Sequence, residues 1–514
     1  MRSPAKVFSA AVIGIKAKLI EVEVDTAVGL SSFSIVGLAD KAVKESKERI
    51  SSAIKNFGAS PPNKQNRRVT VNLAPADIPK AGSAYDLAIA IGYLIASEQM
   101  SPFSFSDNVL AGELALDGSV RSISGALPIV KEAARHRRKE VLLPRENAKE
   151  AALVGAIRII PVDRLQDAVE YLEQKKTILP QPKTKLEDFL SDVHYPFSIV
   201  DVHGQENAKR ALEIAAAGGH NLLMLGSPGV GKTMLAKSMP SILPPMNEEE
   251  VIEVTEIYSS CGLNADEPIV VHRPMRAPHH TASPSAIIGG GTNPRAGEIS
   301  LAHRGVLFMD ELPEFRTDVL EALRQPLEDG IITIARAKQS LTLPASFIFL
   351  ASMNPCPCGF YGDQEKECRC NSGEILRYQK RISGPLLDRI DMQIDVPRIG
   401  AEKIIHHTQK NEGELFEIRE RVVRARKTQE ERLRPFGKRT NAEMSSKEAR
   451  SLVKMEEDAM DALKKSITKE MLSVRGYYKI LKIAQTIADL EQSGVVTLGH
   501  VAEALQYRMR SKES

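Results

Sequence analysis

The 514-residue chain contains no tryptophan, only five cysteines and almost no excess of charge of either sign. So few cysteines exclude a fold that is stapled by disulfides. The net charge of +3 indicates no class of partner, because nucleic-acid binding would show only as local clusters of basic residues. The uncharged stretch 339–362 is interrupted by prolines and predicts no membrane span, and the first residues lack a signal-peptide cleavage pattern. We therefore expect a soluble, cytoplasmic protein with no membrane partner.

The composition indicates several globular domains, since 42% of the residues are apolar and 26% are charged. Strand-like and helix-like runs alternate over residues 1–175, which predicts a first α/β domain. Residues 176–190 are polar and contain two prolines, as expected of a linker. A second α/β segment follows over 191–398, and residues 399–514 have the apolar spacing of helices. We predict an α/β protein with a helical C-terminal domain.

A phosphate-binding loop follows a short apolar strand in the second α/β segment and precedes a helical run. Its motif, G-x-x-x-x-G-K-T, is formed by Gly226, Ser227, Pro228, Gly229, Val230, Gly231, Lys232 and Thr233. The glycines allow a tight loop whose N–H groups face phosphate, and the helix N-terminus adds a favourable dipole. Lys232 would neutralise the β- and γ-phosphates, and the Thr233 hydroxyl would bind Mg²⁺. The motif predicts an ATP and Mg²⁺ site; a glycine-rich turn without ligand is the alternative.

Two further apolar strands end in polar residues. The run 305–309 ends in Asp310 and Glu311. Asp310 suits the Mg²⁺ shell and Glu311 can polarise the attacking water, although an acidic pair can also cap a following helix. The run 347–352 leads to Asn354, which could reach the γ-phosphate and orient water. A turn-forming asparagine before proline is the alternative for Asn354.

Four cysteines form a local cluster at residues 356–370. Two C-x-C pairs are separated by nine residues and consist of Cys356, Cys358, Cys368 and Cys370. Four thiolates at this spacing can close a tetrahedral site, and Zn²⁺ suits such ligands. The cluster therefore predicts a zinc site, with a redox pair or no site as the alternatives. The fifth cysteine, Cys261, stands apart and is interpreted as a small core residue.

Together these motifs resemble the AAA+ ATPases, and more narrowly their magnesium-chelatase-like branch. With its N-terminal domain the whole chain resembles the YifB/ComM family. The segments that carry the resemblance are Val202–Gln205, Arg276–Thr281, Gly289–Gly291, Met309–Leu312 and Leu387–Asp391. The resemblance implies an AAA+ core and a C-terminal helical lid. The adjacent His279 and His280 diverge, so a structural or inter-subunit role is favoured over metal binding.

The resemblance also assigns roles to single residues. It implies that Asn354 is sensor 1, that Arg389 is an arginine finger reaching the γ-phosphate of a neighbouring subunit, and that Arg475 is sensor 2. Taken alone, arginines in such helices are usually solvated or salt-bridged. A finger supplied in trans implies a ring, and the family is hexameric. Lys479 and Lys482 stand where family members often have arginine. Lysine keeps the positive charge but cannot form arginine's bidentate hydrogen bonds, so only such contacts are in doubt.

The N-terminal domain resembles the proteolytic domain of Lon at residues 79–84 and 112–120. Lon proteases use a Ser–Lys dyad in which the lysine activates the serine. The motif match places Ala84 and Leu127 at the two dyad positions, and Ser83 lies one residue away. The resemblance therefore implies a Lon-like fold without peptidase activity, retained for binding or assembly.

Basic residues suggest where a partner binds. The run 330–343 reads as a hairpin, and in this AAA+ branch such a hairpin lines the central pore. Arg336 and Lys338 would then contact nucleic-acid phosphates, with a plain surface hairpin as the alternative. Two other basic runs lie at 135–139 and 421–440. The resemblance implies a hexameric ATP-driven motor on DNA, active in branch migration during natural transformation. A magnesium-chelatase motor subunit and an ATP-regulated scaffold ring are the rivals.

Overall fold

The computed structural model describes residues 4–62, 66–190, 195–291, 295–335, 340–363, 365–398, 412–470 and 473–508. The chain forms two compact units. The first consists of Met1–Asp192, Asn247–Val271 and Gly290–Ala296, and the second of Val193–Met246, His272–Gly289 and Gly297–Ser514. The predicted mixed α/β fold with a helical C-terminal region is confirmed. Residues 247–271, which the sequence placed inside the second α/β segment, cluster with the N-terminal unit.

The strands are short, and most of their residues are apolar. In chain order they are β1 (Ala5–Ile13), β2 (Lys16–Val28), β3 (Ser32–Val36), β4 (Arg67–Ala74), β5 (Asn108–Leu110), β6 (Glu113–Leu114), β7 (Val120–Arg121), β8 (Glu140–Pro144), β9 (Arg158–Val162), β10 (Leu222–Leu225), β11 (Met275–Arg276), β12 (Gly289–Gly290), β13 (Arg295–Ala296), β14 (Val306–Met309), β15 (Ile331–Ala335), β16 (Ser340–Pro344), β17 (Ile348–Met353) and β18 (Met392–Asp395).

Helices occur along the whole chain, and the described residues 412–508 contain helices but no strand. In order they are α1 (Lys41–Asn56), α2 (Asp86–Ala96), α3 (Ala126–Arg135), α4 (Arg145–Ala151), α5 (Leu165–Leu172), α6 (Glu187–Leu190), α7 (Glu206–Gly218), α8 (Lys232–Ser238), α9 (Glu248–Cys261), α10 (Pro284–Ile288), α11 (Glu298–Leu301), α12 (Thr317–Ala322), α13 (Arg324–Asp329), α14 (Ser372–Gln379), α15 (Gly384–Leu387), α16 (Glu412–Leu433), α17 (Ser446–Leu452), α18 (Glu457–Glu470), α19 (Val474–Leu490) and α20 (Leu498–Gln506). No helix of the described ranges is long and apolar enough to cross a membrane.

The first unit is built on a four-stranded sheet in the order β1-β2-β4-β3, with a parallel three-stranded sheet β5-β8-β9. Helix α2 is apolar on all sides after its first residue and packs on β1 and β2. Most of its length is therefore buried in the core of the first unit. A Cβ at Gly92 of this helix would lie 2.7 Å from Val24 Cγ2, so the close approach requires glycine. The first residue, Asp86, is buried against Arg49, and burial raises its pKa to about 6.

The second unit contains a five-stranded parallel sheet in the order β11-β14-β17-β10-β18. The three central strands, β10, β14 and β17, are buried on both faces, as expected when helices cover both sides. The register pairs Leu225 with Met353 and Met309 with Ala351. The carboxyl ends of β10, β14 and β17 therefore meet at one edge, where ligands bind in open α/β sheets.

The helical C-terminal region packs on the same unit through the long helix α19. Its residues Ile480, Ile483 and Ile487 recur at helical spacing and join the core that covers the parallel sheet. His220, before β10, contacts Thr486 of this helix at 2.8 Å between Nε2 and Oγ1. The predicted helical domain is therefore packed against the strand that leads into the phosphate-binding loop.

Candidate active site

The phosphate-binding loop joins β10 to α8. Gly229 and Gly231 have φ values of 81° and 93°, a left-handed conformation that other residues adopt only at a cost. Gly231 is also the N-cap of α8, so the helix begins at Lys232. This geometry turns consecutive N–H groups and the helix N-terminus toward the loop interior, as an anion site requires.

Lys232, the one basic residue of the loop, is buried, with 8% of its surface exposed. Its Nζ donates to the carbonyl oxygens of Gly226 (2.6 Å) and Ser227 (3.0 Å) and to Oδ1 of Asn354 (3.1 Å). Burial lowers the pKa of Lys232, and the nearby charges of Asp310 and Glu311 oppose that shift. The structure thus brings Asn354, at the end of β17, to the lysine of the loop.

Thr233 and Asp310 face each other across the site. The Thr233 hydroxyl donates to Asp310 Oδ2 at 2.6 Å. The other oxygen, Oδ1, accepts a hydrogen bond from the Ser352 hydroxyl. A hydroxyl and a carboxylate oxygen at this separation are the hard oxygen ligands that Mg²⁺ uses beside nucleotide phosphates. Ser352 was missed from the sequence, although its place in the strand next to β14 is the signal that could have found it.

Glu311 has a left-handed backbone, with φ at 53°. Its N–H donates to Asp310 Oδ1 (3.1 Å) and to the Ser352 hydroxyl (3.3 Å), and these bonds hold the conformation. Its half-exposed carboxylate lies 3.7 Å from Nδ1 of His280. The His280 ring is in turn 4.1 Å from that of His279 between centroids. One member of the histidine pair therefore contacts the residue predicted to polarise water.

The two arginines of the predicted site make other contacts. Arg389 is paired with Glu328 and donates to the carbonyl of Pro385 at 2.6 Å. Arg475 donates from Nη1 to Asp388 Oδ2 at 2.9 Å. Within the described residues, the hydrogen bonds and ion pairs of these arginines reach none of the P-loop residues.

Asn221 ties the Arg389 segment to the sheet. Its Nδ2 donates to the carbonyl of Arg389 (3.2 Å), its N–H donates to Asp391 Oδ2 (3.0 Å), and its Oδ1 accepts from the N–H of Phe349 (2.9 Å). Lys479 donates to the carbonyl of Ile390 at 3.0 Å. Because Asn221 precedes β10, the predicted finger is fixed relative to the P-loop strand. No pattern in the sequence indicated this residue.

The four clustered cysteines lie together, with all their sulfur atoms within 4.8 Å of one another. Cys356 Sγ is 3.4 Å from Cys358 Sγ and 3.7 Å from Cys368 Sγ. A tetrahedral site with Zn–S bonds of about 2.3 Å has sulfur separations of about 3.8 Å, so the cluster fits such a metal. The N–H groups of Tyr361 and Cys358 donate to the sulfurs of Cys356 (3.3 Å) and Cys370 (3.4 Å). Backbone hydrogen bonds lower the pKa of Cys358 to about 6. A backbone hydrogen bond also acts to lower the pKa of Cys368 and of Cys370, but burial and the neighbouring cysteine side chains outweigh it and raise both pKa values.

The predicted DNA contacts, Arg336 and Lys338, lie outside the described residues. The flanking strands β15 and β16 pair in antiparallel register, with Ala335 opposite Ser340. The hairpin predicted from the sequence is therefore present up to its tip. The DNA-binding role of the two basic residues stays a prediction.

The two positions that match the Lon dyad, Ala84 and Leu127, lie in the first unit. Leu127 is fully buried, and Ser83, next to Ala84, donates its hydroxyl to Glu113. Lys80 is buried, donates to a backbone carbonyl, and has a pKa lowered by burial. The absence of peptidase activity stays a prediction, based on the two apolar side chains at the dyad positions.

Comparison with known families matches three consecutive parts of the chain. The model "Magnesium chelatase, subunit ChlI" matches residues 198–404, "Subunit ChlI of Mg-chelatase" matches 22–147, and "Magnesium chelatase, subunit ChlI C-terminal" matches 415–508. Competence protein ComM of Haemophilus influenzae is 42% identical over 507 residues, which cover 98% of this chain and 97% of that protein. YifB of Escherichia coli is 41% identical over 504 residues, which cover 98% of this chain and 96% of that protein.

These matches and the P-loop geometry define the class of protein, an AAA+ ATPase of the magnesium-chelatase type that uses nucleotide and Mg²⁺. The chain belongs to the YifB/ComM family of this class, which confirms the resemblance seen in the sequence. Two more distant proteins match in part. The DNA replication licensing factor MCM7 of Arabidopsis thaliana is 24% identical over 331 residues, 61% of this chain and 42% of that protein. An archaeal Lon protease of Methanothermobacter thermautotrophicus is 34% identical over 90 residues, which cover 17% of this chain and 14% of that protein.

Replacing Lys232 by alanine should abolish nucleotide binding, because the buried cation that neutralises phosphate is lost. Glu311→Gln should bind Mg-ATP with the Kd of the unchanged protein but hydrolyse it at least ~10²-fold more slowly, since the group predicted to polarise water is neutralised. Binding of a fluorescent ATP analogue and phosphate release measure the two effects. Asp329→Asn, an exposed acid elsewhere in the unit, is the control. Unchanged turnover in Glu311→Gln would contradict the assignment.

Proposed function

We propose that the chain is one subunit of a homo-hexameric ring that hydrolyses ATP to move on DNA, in branch migration or unwinding during recombination in natural transformation. The observation that most supports this proposal is that the residues predicted to act in ATP hydrolysis form two separate groups. Lys232, Asp310 and Asn354 form one cluster, whereas Arg389 is held by Glu328. An arginine finger that does not contact its own P-loop can complete the site of a neighbour in a ring.

The case for DNA as the partner is based on a relative and on the hairpin. MCM7, whose name describes a DNA replication factor, matches 61% of the chain. Arg336 and Lys338 would supply phosphate contacts at the hairpin tip. The basic run 421–440 supports the proposal less, because Arg421 is paired with Glu213 and Arg432 with Asp489 in the packing of the helical region. The hairpin is therefore the proposed DNA contact.

A second candidate function is that of a magnesium-chelatase motor subunit. It is favoured by one specific observation, that all three family models carry the chelatase name. A scaffold ring that uses ATP only for assembly is the remaining rival. Both rivals predict an ATPase that does not respond to DNA, so stimulation by DNA separates them from the proposed motor.

We also propose that Cys356, Cys358, Cys368 and Cys370 hold one Zn²⁺ ion. The sulfur separations and the two N–H···S hydrogen bonds support this assignment. A zinc ion bound by four thiolates has no open coordination position, so it would be structural rather than catalytic.

Single-stranded or branched DNA should stimulate the ATPase, and the stimulation should fall as salt rises, because phosphate contacts release counterions. Arg336→Ala/Lys338→Ala should lose most of the stimulation and keep the basal rate. Lys41→Ala/Lys44→Ala carries the same change of charge on an exposed helix and is the control. An ATPase that is indifferent to every DNA structure would contradict the motor and favour its rivals.

Arg389→Ala should bind ATP normally but hydrolyse it ~10³-fold more slowly, because a finger stabilises charge on the transferring phosphoryl group. If the finger acts in trans, mixing this variant with Lys232→Ala subunits should restore part of the activity, since an intact P-loop then meets an intact finger. ATPase across mixing ratios is the measurement.

The matched control for this mixing experiment replaces the second partner by Lys232→Ala/Arg389→Ala. That double variant contributes no finger, so its mixtures with Arg389→Ala should stay inactive at every ratio. Absence of recovery with Lys232→Ala subunits, in mixed rings verified by native mass spectrometry, would count against action in trans.

Purified protein should contain about one zinc per chain by elemental analysis. Cys358→Ser/Cys370→Ser should lose the metal, because two thiolates no longer hold it. Cys261→Ser, outside the cluster, should retain it. Metal-free protein from a reducing, chelator-free preparation would rule the site out.

A further inference from the structure

The segment Cys356–Cys370, named here the cysteine knuckle, contacts the P-loop directly. Asp363 lies between the two cysteine pairs, and its Oδ2 accepts a hydrogen bond of 2.5 Å from the Ser227 hydroxyl. The Asp363 side chain is only 2% exposed. A buried, charge-assisted hydrogen bond of this kind is among the stronger ones in proteins. The knuckle therefore anchors the second residue of the loop that would wrap the phosphates.

The same carboxylate is bound from a third element. Arg398, which follows β18, donates from Nε to Asp363 Oδ2 at 3.0 Å, and its Nη1 donates to Glu365 at 3.3 Å. Strand β18 is the direct neighbour of β10 in the sheet. Asp363 thus joins the P-loop to the strand beside it, and its charge is balanced by the guanidinium.

A second contact is purely steric. Gly359, next to Cys358, has φ at 85°, and a Cβ on it would lie 2.5 Å from Cδ of Pro228. The backbone of the knuckle is therefore packed against the third residue of the P-loop. Because this contact and the Ser227 bond involve different atoms, they fix the loop at two consecutive residues.

The knuckle itself has little other support for its shape. Between β17 and α14 no helix or strand occurs among the described residues, so its conformation depends on the sulfur cluster, on short-range hydrogen bonds and on the contacts with Ser227, Pro228 and Arg398 given above. A metal that binds four thiolates would fix such a segment, because its binding energy is gained only in the folded conformation.

We propose that Asp363 and Gly359 are positioning residues through which metal occupancy of the cysteine knuckle sets the affinity of the P-loop for ATP. The inference rests on the zinc site of the proposed function, but not on DNA as the partner. Apart from its bond to the Ser227 carbonyl, Lys232 is held by Gly226 and Asn354. Asp310 and Glu311 bond to Thr233 and Ser352, which do not belong to the knuckle. Loosening the knuckle therefore weakens nucleotide binding and leaves the bound nucleotide to be hydrolysed at the normal rate.

Asp363→Ala should raise both KM for ATP and the Kd of a fluorescent ADP analogue about tenfold, the effect of losing one charge-assisted hydrogen bond. The kcat at saturating ATP should stay within twofold of the value for the unchanged protein, and about one zinc per chain should remain bound. Asp363→Asn keeps an oxygen acceptor for Ser227 and should recover most of the affinity. Glu365→Ala removes the other acid paired with Arg398 and is the matched control, with KM and Kd within twofold.

A double-mutant cycle tests whether Asp363 acts on ATP affinity through its hydrogen bond with Ser227. Ser227→Ala should raise KM as Asp363→Ala does, and the combined variant should be no worse than either, because both remove one hydrogen bond. Additive effects would show that Asp363 acts elsewhere. A fall in kcat with unchanged KM would likewise overturn the positioning role.

Removal of the metal tests the role of occupancy. Chelator-treated protein should show a rise in KM and Kd at least as large as that of Asp363→Ala, and zinc should reverse it. In Asp363→Ala, removal of the metal should add only the smaller part that acts through Gly359. Stripped protein that keeps the original Kd, or protein that never held metal, would overturn the inference. The analogue Kd is measurable without DNA and without turnover, so failure of the motor proposal would not be mistaken for failure of this one.

Discussion

The candidate site depends on the parallel register of three neighbouring strands. Because β10, β14 and β17 run in the same direction and end within two residues of one another in register, the P-loop, the acidic pair and Asn354 emerge at one edge. The hydrogen bonds Lys232–Asn354 and Thr233–Asp310 follow from that alignment. A shift by one residue would turn every side chain at these strand ends to the opposite face and separate the two pairs.

Burying charged groups at this edge of the sheet costs free energy, and polar groups near the same strand ends offset that cost. Burying the ammonium of Lys232 is unfavourable, and its pKa is lowered accordingly. Two loop carbonyls and Asn354 replace the water that the ammonium loses. Asp310 is compensated in the same way by Ser352 and Thr233. Lys232 and Asp310 are therefore each held in a fixed direction by neutral partners, which is how electrostatic preorganisation is achieved.

The sequence predicted the parts of the site that depend on local pattern. Strand–loop–helix order predicted the P-loop, and apolar runs ending in polar residues placed Asp310 and Asn354 at strand ends. It did not predict Asp363, Ser352 or Asn221, because their roles arise from side chains that meet only after the chain has folded. The same reason explains residues 247–271, which the sequence placed in the second α/β segment but which cluster with the N-terminal unit, because such packing is a tertiary property.

The contacts of Arg389 connect assembly to hydrolysis in the proposed ring. The arginine is largely enclosed, its guanidinium is paired with Glu328, and Asn221 holds its backbone. Reaching a neighbour's phosphate requires the side chain to leave Glu328 while the backbone stays in place. That exchange becomes favourable only when a more negative partner, a nucleotide bound by the adjacent P-loop, is presented to it. An isolated subunit would then keep its finger paired with its own glutamate, so that rapid hydrolysis is confined to the assembled ring.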